Sequence, residues 1–467
     1  MSHFATESQR ARLAQQLWAA RPLQDRLPFV TEFRFKLVER VKDLTAAVEA
    51  DVARPPDEVT GTDVLSVAAA AKYLSANASR VLKPKRVGST PLWLWGCKDV
   101  IHHRPWGNVG LIGTWNYPIF LNAIPILHAL VAGNAVLWKP SELAPRSGDV
   151  LHRLFLDCGI PADLLIKLPA TREAGPQLAE ADIDFLHFTG SDVVGRKLAA
   201  RLGERLIPSA LELSGVDAAI VLDDADLDLA VQGVWFGTTL NRGQTCMSTR
   251  RAFVAKPLYD SFIEKLMPFV TATPAMAMQT PGQVTQATRL VSAVTVGSSV
   301  TPTVMKTATP ESPVCQEASF SPILAVMPLE DAAKDHNASP FGLSCAIYTK
   351  NPEAAMKLVA ELKVGSVVIN DVIVPTAHPA TSFGGRGASG WGVTQGDDGL
   401  LQMTVAQVVT VRGGRFRPHV AAALTNDPAV GDVTIGLLKM SHSRRLRDRI
   451  AGMFQMMKGV RKSKKLP

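Results

Sequence analysis

Cys246, in the segment NRGQTCMS from Asn241 to Ser248, is a candidate for covalent chemistry. A thiolate attacks carbonyl carbon readily, but a free thiol titrates near ~8.5, so its surroundings must activate it. A small buried hydrophobe is the other reading of such a cysteine. Glu212, in LELSG, lies in an apolar run that would raise its pKa toward the range of a general base; a salt-bridged or solvated glutamate is the alternative. The segment FTGSDVVG places Gly190, Ser191 and Gly195 between a strand-like run and a helix, where backbone N–H groups could face a pyrophosphate. An ordinary strand-to-helix turn would read the same way. Gly107, Gly110 and Gly113 are spaced GxxGxxG within an expected strand and do not form the dinucleotide fingerprint. No Walker A, HExxH or GxSxG occurs, and His102–His103 reads as a strand-end pair, so no metal site is expected.

These groups need elements to hold them. The first hundred residues read as helices: Leu37, Val41, Leu44 and Val48 fall on one stripe, Val64, Val67, Ala71 and Leu74 on another, with Pro55 and Pro56 between. From Arg86 to His102 short apolar runs suggest a hairpin reaching from the core, an edge of the kind that makes oligomer contacts. Strands then alternate with helices: NVGLIGTW, LNAIPILHALVAG, NAVLWKP, a helix from Pro145 to Cys158, LLIKLPA, DFLHFTG and a helix from Asp192 to Arg201. A second series starts at Ala218. Two α/β lobes built on parallel sheets follow from this alternation. The stretch from Thr271 to Pro313 receives no assignment. The most apolar run, Pro118 to Trp138, is interrupted by Asn122, Pro125, His128, Gly133 and Asn134, which fits a helix and a buried strand better than a membrane span.

With 467 residues, 46% hydrophobic and 20% charged, the chain is globular and long enough for two or three domains. Its five cysteines are odd in number and scattered without a CxxC pair, which disfavours a disulfide framework or zinc ribbon. With no apolar signal segment at the N-terminus, a reducing, cytoplasmic location is expected. The net charge of +8 is unevenly spread: residues 436–467 hold ten Lys and Arg against Asp448 alone, leaving 40 bases and 41 acids in the preceding 435 residues. The body therefore offers no reason to expect nucleic acid. In the tail, Leu446, Ile450, Met453, Phe454 and Met457 recur at helical spacing with arginines on the other side. Such a basic amphipathic helix suits either peripheral contact with an anionic membrane or packing on the body.

Six segments occur in register: WNYP (Trp115–Pro118), KPSE (Lys139–Glu142), FTGSDVVG, LELSG, NRGQTCMS and FGGRGASGWG (Phe383–Gly392). Together they resemble the aldehyde dehydrogenase superfamily over roughly residues 22–412, and WNYP, KPSE and VIND look most like its class 3, or fatty aldehyde, branch. The resemblance implies a Rossmann-type cofactor lobe (residues 1–85 and 103–212) and an α/β catalytic lobe (213–394). Small β bridging and oligomerisation segments (86–102 and 395–412) and a linker with basic tail (413–467) complete it. It implies oxidation of an apolar aldehyde with NAD, or NADP, through a thiohemiacetal and thioester on Cys246; a homodimer is expected from the chain length and the hairpin. Glu212 would activate the hydrolytic water, and the Asn116 amide with the Cys246 N–H would hold the oxyanion. Lys139 and Glu142 would meet the adenosine ribose, Gly190, Ser191 and Gly195 the pyrophosphate, and Phe320 the nicotinamide end. Trp115, Tyr117, Trp235 and Phe236 are candidates for an aldehyde tunnel.

The chain departs from the family pattern at three places. Ala318 stands where the glutamate of ExFGP would grip the nicotinamide ribose, and Ser214 and Val216 replace the glycine and lysine of ELGGK. A slowed enzyme is the expected consequence. Two other readings stay open: a CoA-acylating aldehyde dehydrogenase, and a retired fold serving as a membrane-associated binding protein.

Overall fold

The computed structural model describes residues 3–94, 96–413 and 428–462. The chain forms two compact units, Met1–Leu82 with Arg104–Val405, and Lys83–His103 with Ala406–Pro467.

The first unit contains two six-stranded sheets. In one the order is Gly390–Trp391, Ser209–Leu213, Phe185–Gly190, Asn108–Ile112, Ala135–Lys139, Leu165–Lys167, all parallel except the antiparallel edge Gly390–Trp391. Its central strands Asn108–Ile112 and Ala135–Lys139 are buried at every position, as strands with helices on both faces must be. The helix Phe120–Ala132 is likewise buried throughout and runs into the second of these strands past Gly133, whose φ of +104° suits a residue without Cβ. The long apolar run is therefore a core helix and strand.

The other sheet is wholly parallel, in the order Thr303–Met305, Ile323–Leu329, Thr249–Ala255, Asp217–Val221, Ser344–Tyr348, Ser366–Ile369. Alternate residues serve opposite layers: Ala218 and Ile220 pack with Phe253 and Cys345, whereas Ala219 and Val221 pack with Ala252 and Tyr348. The strand Ser209–Leu213 of the first sheet passes through Ser214–Val216 directly into Asp217–Val221 of the second. Glu212 thus lies where the chain crosses between sheets.

Several local expectations change. Of the three spaced glycines only Gly110 lies within a strand; Gly107 and Gly113 flank Asn108–Ile112. The stripe from Leu37 to Val48 belongs to two helices, Pro28–Glu39 and Val41–Val52, broken at Arg40. The unassigned stretch holds a helix, Pro281–Val291, whose capping box pairs Thr280 with Gln283. Around it lie strands of two or three residues, too short to show alternation.

In the second unit, Lys85–Arg86 pairs antiparallel with Val100–Ile101 of the strand Cys97–Pro105, and Thr404–Arg412 completes a three-stranded sheet. Two helices follow, Pro428–His442 and Leu446–Lys462. Pro428 and Gly431, expected in the linker, belong to the first of them. The rest of that linker and the bases Lys464 and Lys465 fall outside the described residues.

Candidate active site

Cys246 is presented by a strained turn. The helix Leu227–Thr239 starts on Asp226, whose carboxylate accepts Leu229 N–H at 3.1 Å, and ends in three successive left-handed residues: Asn241 (φ 48°), Arg242 (φ 62°) and Gly243 (φ 75°). Left-handed non-glycine residues cost energy and persist where surrounding contacts enforce them. At Gly243 a Cβ would come within 2.5 Å of the Ser321 carbonyl carbon. Asn241 Nδ2 donates to Asn116 O at 3.0 Å, and Gln244 Oε1 accepts Gln279 N–H and Gln283 Nε2 at 3.0 Å each.

Arg250, essentially fully buried, fastens this turn from below. Its guanidinium donates to Gly243 O (3.2 Å), Thr245 O (3.1 Å), Ser321 O (3.3 Å) and Gly215 O (3.4 Å). One cation therefore ties the cysteine turn to the segment after Glu212 and to the segment after Phe320. Gly215 N–H in turn donates to Cys246 O at 3.1 Å.

The Cys246 side chain is half-buried and lines a cavity of about 220 Å³ with Glu212, Tyr117, Phe120, Phe236 and Phe383. Among the residues lining it are no Lys, Arg or His; Glu212 and Cys246 are its acid groups besides the Tyr117 phenol. Tyr117 OH lies 2.7 Å from Thr245 Oγ1. Trp115 does not join this wall but lines the neighbouring cleft, and Trp235 is a core residue whose indole N–H donates to Thr273 Oγ1 at 3.0 Å.

Glu212 pairs in register with Thr189 on one side and Gly390 on the other. Its Oε2 receives only a long bond from Thr189 Oγ1 (3.5 Å), and Oε1 is buried with no partner. Burial raises its pKa to about 7, with the Thr189 hydroxyl opposing. Burial likewise pushes the Cys246 thiol well up, reinforced by the Glu212 and Asp217 carboxyls; the Met247 N–H and Arg250 act the other way. A neutral thiol thus rests beside a carboxyl able to take a proton near neutrality.

Asn116 is brought to the cysteine turn. Its Nδ2 donates to Gln244 O at 3.1 Å and its Oδ1 accepts Thr114 Oγ1 at 2.9 Å. The buried ion pair Arg54–Asp63 (2.6 Å) holds this loop: Arg54 Nη1 donates to Asn116 O, while Asp63 Oδ1 accepts Ile119 and Phe120 N–H. Arg54, Asp63 and Arg250 were not anticipated. For Arg250 a signal existed, two arginines inside the buried strand TRRAFVA.

A second cavity, of about 720 Å³, opens at the C-terminal edge of the first sheet, beside Gly113, Lys139, Glu142 and Gly190. Lys139 Nζ donates to Glu142 Oε2 at 2.8 Å, and the exposed Arg172 donates from Nε to Glu142 Oε1 at 3.1 Å. Burial raises the Glu142 pKa, but Lys139 and Arg172 outweigh it and leave the carboxyl below its usual range. Ser191 caps the helix Asp192–Glu204, accepting Val194 N–H at 3.4 Å. Gly195 lies under that helix, where a Cβ would come 2.5 Å from Leu213 Cδ2, so its smallness lets the helix close on the Glu212 strand. Phe320 stands 6.2 Å from Trp115, ring to ring. A ribose-type donor and acceptor pair beside a helix N-terminus suits a dinucleotide.

Ala318 packs with Val216, Phe341 and Ala388. Two of the three departures from the family pattern therefore share one apolar cluster. Glu317 points elsewhere and pairs with Arg289 (Nη1–Oε1 3.1 Å). Among the described residues no cluster of His, Cys, Asp and Glu could hold a metal ion.

The family model described as "Aldehyde dehydrogenase family" matches residues 3–288 and 276–409. A 4,4'-diapolycopene aldehyde oxidase of Methylomonas sp is 30% identical over 423 residues, covering 85% of this chain and 79% of its own. A Mycolicibacterium smegmatis protein with the provisional name succinate-semialdehyde dehydrogenase [NADP(+)] is 29% identical, over 86% of this chain and 83% of its own. The crystal structure of a Mycobacterium tuberculosis aldehyde dehydrogenase complexed with NAD+ superposes with a TM-score of 0.82 at 27% identity, covering 88% of this chain and 90% of that one. The chain belongs to the aldehyde dehydrogenase family and is an NAD(P)-dependent enzyme of it, with that family's α/β fold. These similarities support the family as a whole and do not single out the class 3 branch that WNYP, KPSE and VIND suggested. Residues beyond 409 lie outside the family match.

Proposed function

We propose that this protein oxidises an uncharged, apolar aldehyde to its carboxylic acid at Cys246. The observation that carries this reading is the cavity beside Cys246, walled by aromatic and aliphatic side chains and free of any basic residue. A substrate with a distal carboxylate would bury that charge there unpaired, at a cost of several kcal/mol. In the proposed sequence Glu212 takes the thiol proton and the sulfur adds to the aldehyde carbon. Asn116 Nδ2, turned from Gln244 O, and the Cys246 N–H hold the oxyanion. The bound nicotinamide supplies a hydride acceptor. Glu212 releases the thiol proton to solvent and, as a carboxylate again, deprotonates water, whose oxygen displaces the thiolate from the thioester. Its unpartnered Oε1 favours water over CoA as acyl acceptor, because it offers a proton-accepting site beside the sulfur.

The test is a panel of aldehydes assayed with the purified protein. Long-chain and aromatic aldehydes should exceed succinate semialdehyde in kcat/KM by about 100-fold or more, the equivalent of one unpaired buried charge. Equal efficiency with succinate semialdehyde would sink the apolar reading.

The same proposal assigns Lys139 and Glu142 to the adenosine ribose and adds Arg172, which can turn to a 2′-phosphate when Glu142 is displaced. Both NAD and NADP should therefore be used. Glu142→Gln should move the ratio of NADP to NAD efficiency upward by roughly tenfold, and Arg172→Ala downward by a similar factor. A ratio unchanged in both variants would remove Arg172 from the site. We further propose a homodimer, supported by the strand Thr404–Arg412, which exposes Val408 and Val411 at a sheet edge.

A further inference from the structure

We propose that the C-terminal helical hairpin docks this protein on the surface of an anionic lipid bilayer. Pro428–His442 and Leu446–Lys462 close on each other through glycines set against the buried Ala429 and Val433, and not through the large apolar side chains of the last helix. A Cβ at Gly436 would come 2.4 Å from Met456 N, one at Gly452 would come 2.7 Å from Gly436 O, and one at Gly459 would come 2.8 Å from Val433 Cγ2. Gly436, Gly452 and Gly459 are buried in this seam, which lets the backbones approach closely.

Leu446, Ile450, Met453, Phe454, Met457 and Val460 point away from the seam and are 38–71% exposed. On a helix of 3.6 residues per turn they form a stripe roughly 120° wide, centred well over a quarter turn from the glycines. Arg449 borders the stripe on one side and Arg447 and Lys458 on the other, Arg461 falls within it at its C-terminal end, and only Lys462 lies well away from it, so most of these bases do not oppose the stripe as the sequence pattern suggested. The two helices with their connecting turn carry eight Lys and Arg against Asp432 and Asp448, within a protein whose remaining residues are close to neutral.

An exposed apolar stripe flanked by bases matches the boundary between acyl chains and anionic headgroups, where the stripe is buried and the long basic side chains reach back to phosphate. A polyanion such as RNA would satisfy the bases but leave Ile450 and Phe454 in water. A second copy would place like charges against each other. No described helix is long and apolar enough to cross a membrane.

The experiment is sedimentation of the full chain with vesicles, using phosphatidylcholine alone or with about 30% phosphatidylserine. Binding to the anionic vesicles should exceed binding to neutral ones by roughly tenfold and fall by a similar factor at about 0.5 M salt. The double variant Ile450→Asp/Phe454→Asp alters side chains already in solvent. It should lose vesicle binding about tenfold while oxidising a water-soluble aldehyde at the parent rate, and Arg447→Gln/Arg449→Gln should weaken binding without touching the stripe. No binding to anionic vesicles, equal binding to both vesicle types, or retention by the Asp double variant would overturn the proposal. So would a solution oligomer that the Asp double variant dissolves, since the stripe would then be a protein interface.

Discussion

Replacing Cys246 by alanine will reduce aldehyde-dependent formation of NADH by a factor on the order of 10⁴ or more, because no other thiol can take its place. Cys158, Cys315 and Cys345 are buried in the cores, and burial drives their thiols up, Cys158 to about 12 and Cys315 to about 11. Cys97 belongs to the other compact unit. The cavity beside Cys246 holds no second nucleophile of comparable strength; Thr62, Ser66, Thr245 and Thr376 offer only hydroxyls, and the structure pairs none of them with a histidine. Alanine removes one sulfur from a half-buried position, so thermal stability should change by about 1 kcal/mol or less. The check is a rate assay beside a melting curve. A variant that keeps its activity, with its fold intact, would show that Cys246 is an ordinary buried thiol.

The surroundings of that cysteine were legible in the sequence to different degrees. The parallel sheets were readable because strands covered on both faces are continuous apolar runs, as in Asn108–Ile112 and Ala135–Lys139. Glu212 announced its environment through LELSG, and in the structure one of its oxygens is buried without a partner, the burial that pushes its pKa up to about 7. What periodicity could not convey were partnerships across long sequence separations. Arg54 meets Asn116 from 62 residues away, and Arg250 serves carbonyls of Gly215 and Ser321, which no local pattern joins. Neighbouring aromatics also divided unpredictably, since Phe236 faces the cavity while Trp235 turns inward to Thr273.

The departures from the family pattern show the same limit. Read singly, Ala318 is a lost carboxylate and Val216 a lost ammonium. In the fold they touch a common set of apolar neighbours, Phe341 and Ala388. Losing both charges together leaves neither one buried without a partner, so the pair reads as a consistent repacking and not as two separate lesions. The tail carried an analogous surprise. Glycines that the stripe pattern ignored form the helix–helix contact, and the apolar residues that drew notice remain outside it.

Glu212→Gln will separate the two halves of the reaction. With the base gone, water attack on the thioester should slow by about 10²–10⁴-fold, the usual contribution of a positioned general base. Glutamine fills the same space and can still accept from Thr189 Oγ1, so the fold should be retained. If the thiolate can still form through water, the variant will give one rapid burst of NADH per site and then stall, leaving acyl-enzyme on Cys246. The parent's turnover should rise with pH through about 7, as the carboxyl ionises, and that limb should vanish in the variant. Stability supplies an independent reading. A carboxyl whose folded pKa is raised binds its proton more tightly in the folded chain than in the unfolded one, where glutamate titrates near ~4.3. The associated stability is therefore complete below that value and lost as pH climbs through about 7, a change on the order of 3 kcal/mol. Glu212→Gln should remove this contribution, so that its stability relative to the parent improves between pH ~4.3 and ~7. Asp217, also raised to about 7 by burial, stays in both proteins and cancels in the comparison. A variant with undiminished steady turnover, or with the parent's pH limb intact, would assign the base to another group.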